Sequence, residues 1–152
     1  MIKLLHRRQV LSLFLKLDIS KAFDSVSWSF LQEILTHLGF GQVWCNLVAN
    51  LLSTASTRVL LNGESGPKIR HQRGLRQGDP LFPILFILIM DVLNSLFTKA
   101  GDFGLLQPPC RGNLGQRISL YADDVVLFIR PQEAKMYLIV SILDKFREAS
   151  GL

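Results

Sequence analysis

Arg117-Ile-Ser-Leu-Tyr-Ala-Asp-Asp-Val-Val-Leu-Phe-Ile-Arg130 sets two apolar runs on either side of a pair of aspartates. Arg117 to Leu120 and Val125 to Arg130 are short alternating runs, so the segment predicts a β-hairpin with Tyr121-Ala-Asp-Asp124 at its tip. Two adjacent carboxylates held at a turn repel each other unless a cation sits among them, and that points to a metal. An isolated Asp-Asp pair is ordinarily a solvated turn. Between Ile-Ser-Leu-Tyr and Val-Val-Leu-Phe, the solvated reading carries less weight.

Working outward, Val10 to Leu17 is short and nearly all apolar, as a strand buried on both faces would be, and it delivers Asp18 at its end. Pairing that strand with the hairpin would add a third carboxylate to an oxygen-lined site suited to Mg²⁺. Ser29 with Gln32 suggests a capping box, and Trp28, Leu31, Leu35 and Leu38 recur at helical spacing up to Gly39. A second helix is expected to carry Val43, Trp44, Leu47, Val48, Leu51 and Leu52, and both aromatic stripes read as core. Thr57 to Leu61 and Lys68 to Gln72 predict a second hairpin around Asn62-Gly63. A polar loop, Arg73-Gly-Leu-Arg-Gln-Gly-Asp-Pro80, precedes an apolar helix from about Leu81 to Lys99. Asp24 and Asp79 suit helix caps rather than metal ligands. Pro131 suits the first turn of a last helix with Leu138, Ile139, Ile142, Leu143 and Phe146 inward. The fold class expected is α+β, an antiparallel sheet of Val10–Asp18, Arg117–Tyr121 and Val125–Arg130 with helices packed on one face.

The bulk numbers agree with one folded domain over residues 1–152, since 49% of the chain is apolar. A net charge of +5 favours a polyanionic partner, with cations concentrated in Lys3 to Lys21 and Arg58 to Arg76. A charge run of this kind also fits a merely solvated face. Cys45 and Cys110 have no metal-type spacing and read as packing residues in a reducing compartment. The apolar stretch Val10 to Leu15 is too short for a signal peptide, so an intracellular protein, nuclear or cytoplasmic, is expected. Pro80 to Phe97 is broken by Pro83, Asp91 and Asn94, which predicts a buried helix and no membrane.

Three segments carry a family resemblance: Lys16-Leu-Asp-Ile-Ser-Lys-Ala-Phe-Asp24, Gly74-Leu-Arg-Gln-Gly-Asp-Pro-Leu-Phe-Pro83 and Tyr121-Ala-Asp-Asp124. In this order they resemble motifs A, B and C of reverse transcriptases. Their wording is more similar to the non-LTR (LINE-type) retrotransposon branch than to retroviral or group II intron enzymes. Phe146-Arg-Glu-Ala-Ser-Gly-Leu152 resembles the run before motif D. The resemblance implies a polymerase palm and nucleotidyl transfer from a dNTP to a DNA primer 3′-hydroxyl on an RNA template. It also implies two Mg²⁺ ions, with Mn²⁺ as a substitute, held by Asp18, Asp123 and Asp124.

By the same resemblance, the backbone at Ile19 meets the metal-bound triphosphate. Phe23, five residues after Asp18, falls at the aromatic gate against a 2′-hydroxyl, although plain packing explains it as well. Gln77 and Gly78 match the loop against the incoming nucleotide and template. Arg73 and Arg76 are candidates for phosphates, or are simply exposed. Tyr121 supports the primer end or packs under the hairpin. Phe82 departs from the family, where Ser is usual, and would either crowd the loop or turn outward. Fingers, thumb and endonuclease segments are expected to be largely missing from this chain and to belong to a parent polyprotein. The alternative function is therefore an inactive retroelement remnant that at most binds nucleic acid. An unrelated metal-dependent phosphohydrolase is disfavoured by the Gln-Gly loop and the motif order.

Overall fold

The computed structural model describes residues 13–106, 118–121, 124–129 and 132–152. The elements are β1 (Leu13–Asp18), α1 (Ala22–Ser25), α2 (Trp28–His37), α3 (Gln42–Ser53), β2 (Ser56–Leu61), β3 (Glu64–Arg70), α4 (Phe82–Asp102), β4 (Ile118–Tyr121), β5 (Asp124–Ile129) and α5 (Glu133–Ser150). The chain divides into two compact units, one of Met1–Ser20 with Met90–Glu148 and one of Lys21–Ile89 with Ala149–Leu152.

The first unit contains the three-stranded antiparallel sheet, in the order β1-β5-β4. Its register aligns Leu15 with Leu127, Leu17 with Val125, and Ile118 with Leu127. Side chains alternate across a strand, so these apolar residues share one face. Val125 and Leu127 on that face are fully buried, and Ile118 nearly so. The opposite face carries Phe14 against Phe128, their rings edge to face with centroids 5.6 Å apart, followed by Lys16, Asp18, Asp124 and Val126. Sheet and helices together are the α+β architecture the patterning predicts. Arg130, Pro131 and the strand start at Val10 lie outside the described residues, as does Cys110.

In the second unit α2 begins two residues earlier than the capping-box reading. Ser27 is the N-cap, its hydroxyl accepting from the Phe30 amide at 3.4 Å, while Ser29 lies inside the helix. Ser27 wins because its backbone is extended, the conformation an N-cap needs, whereas Ser29 is already helical. α3 buries Cys45, Val48 and Leu52, while Val43, Trp44 and Leu47 are exposed. The stripe expected to be core is thus only partly core: periodicity marked an apolar face, and the helix turned a neighbouring one inward. Leu38 is likewise exposed. The second hairpin forms as Ser56–Leu61 against Glu64–Arg70, turning through Asn62 and Gly63 at φ 51° and 85°. Both values are positive, as a two-residue hairpin turn requires.

α4 is longer than expected, at 21 residues, and is long and apolar enough by length and composition to cross a bilayer. Its buried residues, Phe82, Leu85, Phe86, Ile89, Met90, Leu93, Phe97 and Ala100, fall at spacings of three and four. That stripe is the signature of a helix packed along one side. Phe82, for which crowding or an outward turn was expected, does not turn outward: it is 1% exposed and joins the stripe at the first residue of the helix. Its buried ring supplies apolar area at the helix start.

Candidate active site

A candidate carboxylate site lies in the first unit. β1 and β5 run antiparallel with Asp18 directly opposite Asp124, and Tyr121 of β4 is aligned with Asp124 on the other side of β5. Directly opposed residues hold their Cβ atoms about 4.5–5.5 Å apart, and like charges there are destabilising. Lys16 is two residues before Asp18 and so on the same face of β1. Its ammonium Nζ stands 2.9 Å from Asp124 Oδ2, placing one positive charge at the edge of the carboxylate pair. The side chains of Lys16 and Asp124 are 54% and 34% exposed, so the ion pair is solvated and contributes at most about 1 kcal/mol.

Two opposed carboxylates, one of them paired with an ammonium, offer anionic oxygen donors, the type that hard cations such as Mg²⁺ and Mn²⁺ take. Among the described residues no group of three His, Cys, Asp or Glu could hold a metal. Asp123, the third carboxylate expected, lies outside the described residues. Ile19 follows Asp18 directly in this unit.

The second unit carries a loop site of its own. Residues 21–28 are pinned to the loop before α4: the Leu75 amide donates to Phe23 O at 2.6 Å and the Gly74 amide to Val26 O at 2.8 Å. The Trp28 indole N–H donates to Gly74 O at 2.8 Å. Gly74 has φ +86°, and a Cβ added there would stand 2.6 Å from Asp24 O. Only glycine permits both the backbone conformation and the close approach. From the other side, the Ser27 amide donates to Ser150 O at 2.7 Å.

The segment so held presents Phe23, whose ring stacks on Phe86 with centroids 4.6 Å apart and an interplanar angle of 21°. Phe86 is buried, while Phe23 keeps part of its surface open. Phe23 lines a cleft of about 350 Å³ with Arg76, Gln77, Gly78 and Pro83. A second cleft, about 460 Å³, includes Asp24, His71, Arg73, Arg76 and Gln77. Arg73, Arg76, Gln77 and Gly78 are exposed, and a Cβ at Gly78 would meet nothing within 4 Å. The Asp79 carboxylate accepts from the Leu81 amide at 3.0 Å in a turn just before α4, and not from an amide of the helix itself. Asp24 does not cap: it lies inside the one-turn α1, whose N-cap is Lys21.

Three residues of these two sites are not legible in the sequence alone. Lys16 appears there only as a letter of the first motif, Trp28 as one member of an apolar stripe, and Phe86 as one of several α4 apolar residues. For Trp28 the one available signal is an indole N–H near a glycine-rich loop, because buried Trp seeks an acceptor.

Residues 2–152 match the family model described as reverse transcriptase (RNA-dependent DNA polymerase). The chain is 35% identical over 128 residues to a retrovirus-related Pol polyprotein from the type-2 retrotransposable element R2DM of Drosophila melanogaster, covering 84% of this chain and 12% of that protein. It is 33% identical over 115 residues to a Pol polyprotein from a type-1 retrotransposable element R2 of Popillia japonica, covering 73% and 15%. Against the transposon TX1 149 kDa protein of Xenopus laevis it is 35% identical over 127 residues, covering 82% and 10%. The chain thus spans about an eighth of the first of these relatives. In fold it is similar to telomerase from Candida albicans, solved with a fragment of telomeric RNA, at a TM-score of 0.66 and 16% identity over 99% of this chain and 28% of that one.

Proposed function

The chain belongs to the reverse transcriptase family, in its non-LTR, LINE-type retrotransposon branch, and from that premise we propose that it carries the metal-holding carboxylates and the nucleotide loop of RNA-directed DNA synthesis. The observation that carries the reading is the register of β1 on β5, which sets Asp18 opposite Asp124 at the end of the sheet. Asp18, Asp123 and Asp124 would hold two Mg²⁺ ions, or Mn²⁺. When bound, such ions lower the pKa of the attacking hydroxyl and neutralise charge on the triphosphate.

The protein's own share is positioning and electrostatics. The Ile19 backbone, next to Asp18, would meet the triphosphate. Gly78 leaves the loop open for close approach of nucleotide and template, with Gln77 beside it. Phe23, braced by Phe86, would stand against the sugar and reject a 2′-hydroxyl by contact. Arg73 and Arg76 would meet phosphates, and Tyr121 the primer end. RNA template, DNA primer and dNTP are the partners of this reading, together with the further segments of a longer polyprotein.

The test is primer extension on an RNA template with Mg²⁺, comparing the chain with Asp18→Asn, Asp123→Asn and Asp124→Asn. Residues that only orient metal ligands already cost about 10–100-fold when removed. Each of these variants should therefore lose more than about a hundredfold. Equal extension by all four proteins would sink the assignment. A second reading, nucleic-acid binding without catalysis, is supported by the +5 charge. Hybrid binding with no extension by any of the four would select it.

A further inference from the structure

The β2–β3 hairpin carries a charge arrangement that its own stability does not explain. Arg58 and Lys68 are direct cross-strand partners, and Ser56 pairs with Arg70. Alternation therefore sets Arg58, Lys68 and Arg70 on one face, with Thr57, Ile69 and His71 on the other, where the Thr57 hydroxyl and His71 Nε2 are 2.6 Å apart. All three cations are exposed. Neither ion pair found among the described residues, Lys16–Asp124 or Arg147–Asp144, involves them. The one carboxylate of these strands, Glu64, pairs with Leu61 at the turn.

Like charges directly opposite each other destabilise a strand pair. An isolated two-stranded hairpin is marginal in water to begin with. This one has no buried residue on either face, and Val59, Leu60 and Leu61 are 60–73% exposed. A face destabilised by mutual repulsion becomes favourable when a polyanion neutralises it. Lys68 and Arg70 are two residues apart, about 7 Å along the strand, with Arg58 beside them. Their long side chains can reach successive phosphates of one backbone strand, whose charges recur every few ångströms.

We propose that the Arg58, Lys68 and Arg70 face of this hairpin is a docking surface for the sugar–phosphate backbone of a template–primer duplex. The choice of duplex as the polyanion rests on the polymerase reading; the basic face itself does not. Contact with phosphates carries no base preference and is sensitive to salt. The hairpin would hold the duplex rather than select its sequence.

The test measures binding of the full chain to a 20-base-pair RNA–DNA hybrid by fluorescence anisotropy at several salt concentrations. Arg58→Gln/Lys68→Gln/Arg70→Gln is compared with the equal-charge control Lys99→Gln/Lys145→Gln/Arg147→Gln. Each phosphate that is no longer neutralised lowers the slope of log affinity against log salt by about 0.9. The hairpin variant should show a slope smaller by about two to three units, and the control by less than one. Its melting temperature should not fall, because repulsion has been removed, which separates a binding role from misfolding.

Equal reductions in both variants, or none in the hairpin variant, overturn the proposal, as does displacement of the hybrid by polyglutamate at equal charge concentration. Absence of hybrid binding by the unaltered chain overturns it as well. The polymerase reading is judged separately by extension with Asp18→Asn. A chain that extends primers while its hairpin variant binds normally would refute this proposal and keep that reading.

Discussion

Gly74 concentrates several constraints in one position. Its φ of +86° and the 2.6 Å approach of a would-be Cβ to Asp24 O mean that any side chain must displace backbone. Two further bonds converge there, from the Trp28 indole and to Val26 O. Gly74→Ala is expected to destabilise by about 1–3 kcal/mol from the strained conformation, with the clash added. Thermal unfolding would show it, and a melting temperature unchanged within a degree would refute it. Trp28 illustrates how a polar handle is hidden in an apolar residue: its stripe position is legible, its acceptor is not. Lys16 is hidden in the same way, because nothing in the order Lys-Leu-Asp says that the ammonium reaches Asp124 across the strand pair.

At the scale of elements, register decides chemistry. A slip of one residue between β1 and β5 would send Asp18 and Asp124 to opposite faces and expose Val125 or Leu127. The apolar face therefore holds the carboxylates where they are. Leu127 is fully buried and aligned with both Leu15 and Ile118. Leu127→Ala should cost about 2–5 kcal/mol, the range for truncating a core leucine, read as a shift in denaturant midpoint. A cost under about 1 kcal/mol would mean that the sheet's register is pinned elsewhere. Both hairpins are legible from alternation and turn residues. The inward face of α3 is not, since the helix offers apolar residues around more than half its circumference and only packing partners choose among them.

For the whole molecule, the carboxylates make a linkage prediction. A cation that binds the folded state and not the unfolded one stabilises by about 2.7 kcal/mol at a hundredfold excess over its Kd. Mg²⁺ or Mn²⁺ should raise the melting temperature of the chain, and should not do so for Asp18→Asn/Asp124→Asn. Equal shifts in both would place the metal elsewhere.

What is readable from the chain alone follows from the range of the forces involved. Strand alternation, the Asn62-Gly63 turn, the apolar stripe of α4 and the three motifs are local in the chain. They determined the α+β class, the family resemblance and the identity of the candidate carboxylates. The cross-strand alignment of Asp18 with Asp124, the stacking of Phe86 beneath Phe23 and the inward turn of Phe82 join residues far apart in sequence or depend on what a side chain finds around it. Those were decided only by tertiary structure, because burial and like-charge repulsion act between neighbours in space. The aspartates were named by the sequence, but it took the packed face of the sheet to set two of them side by side.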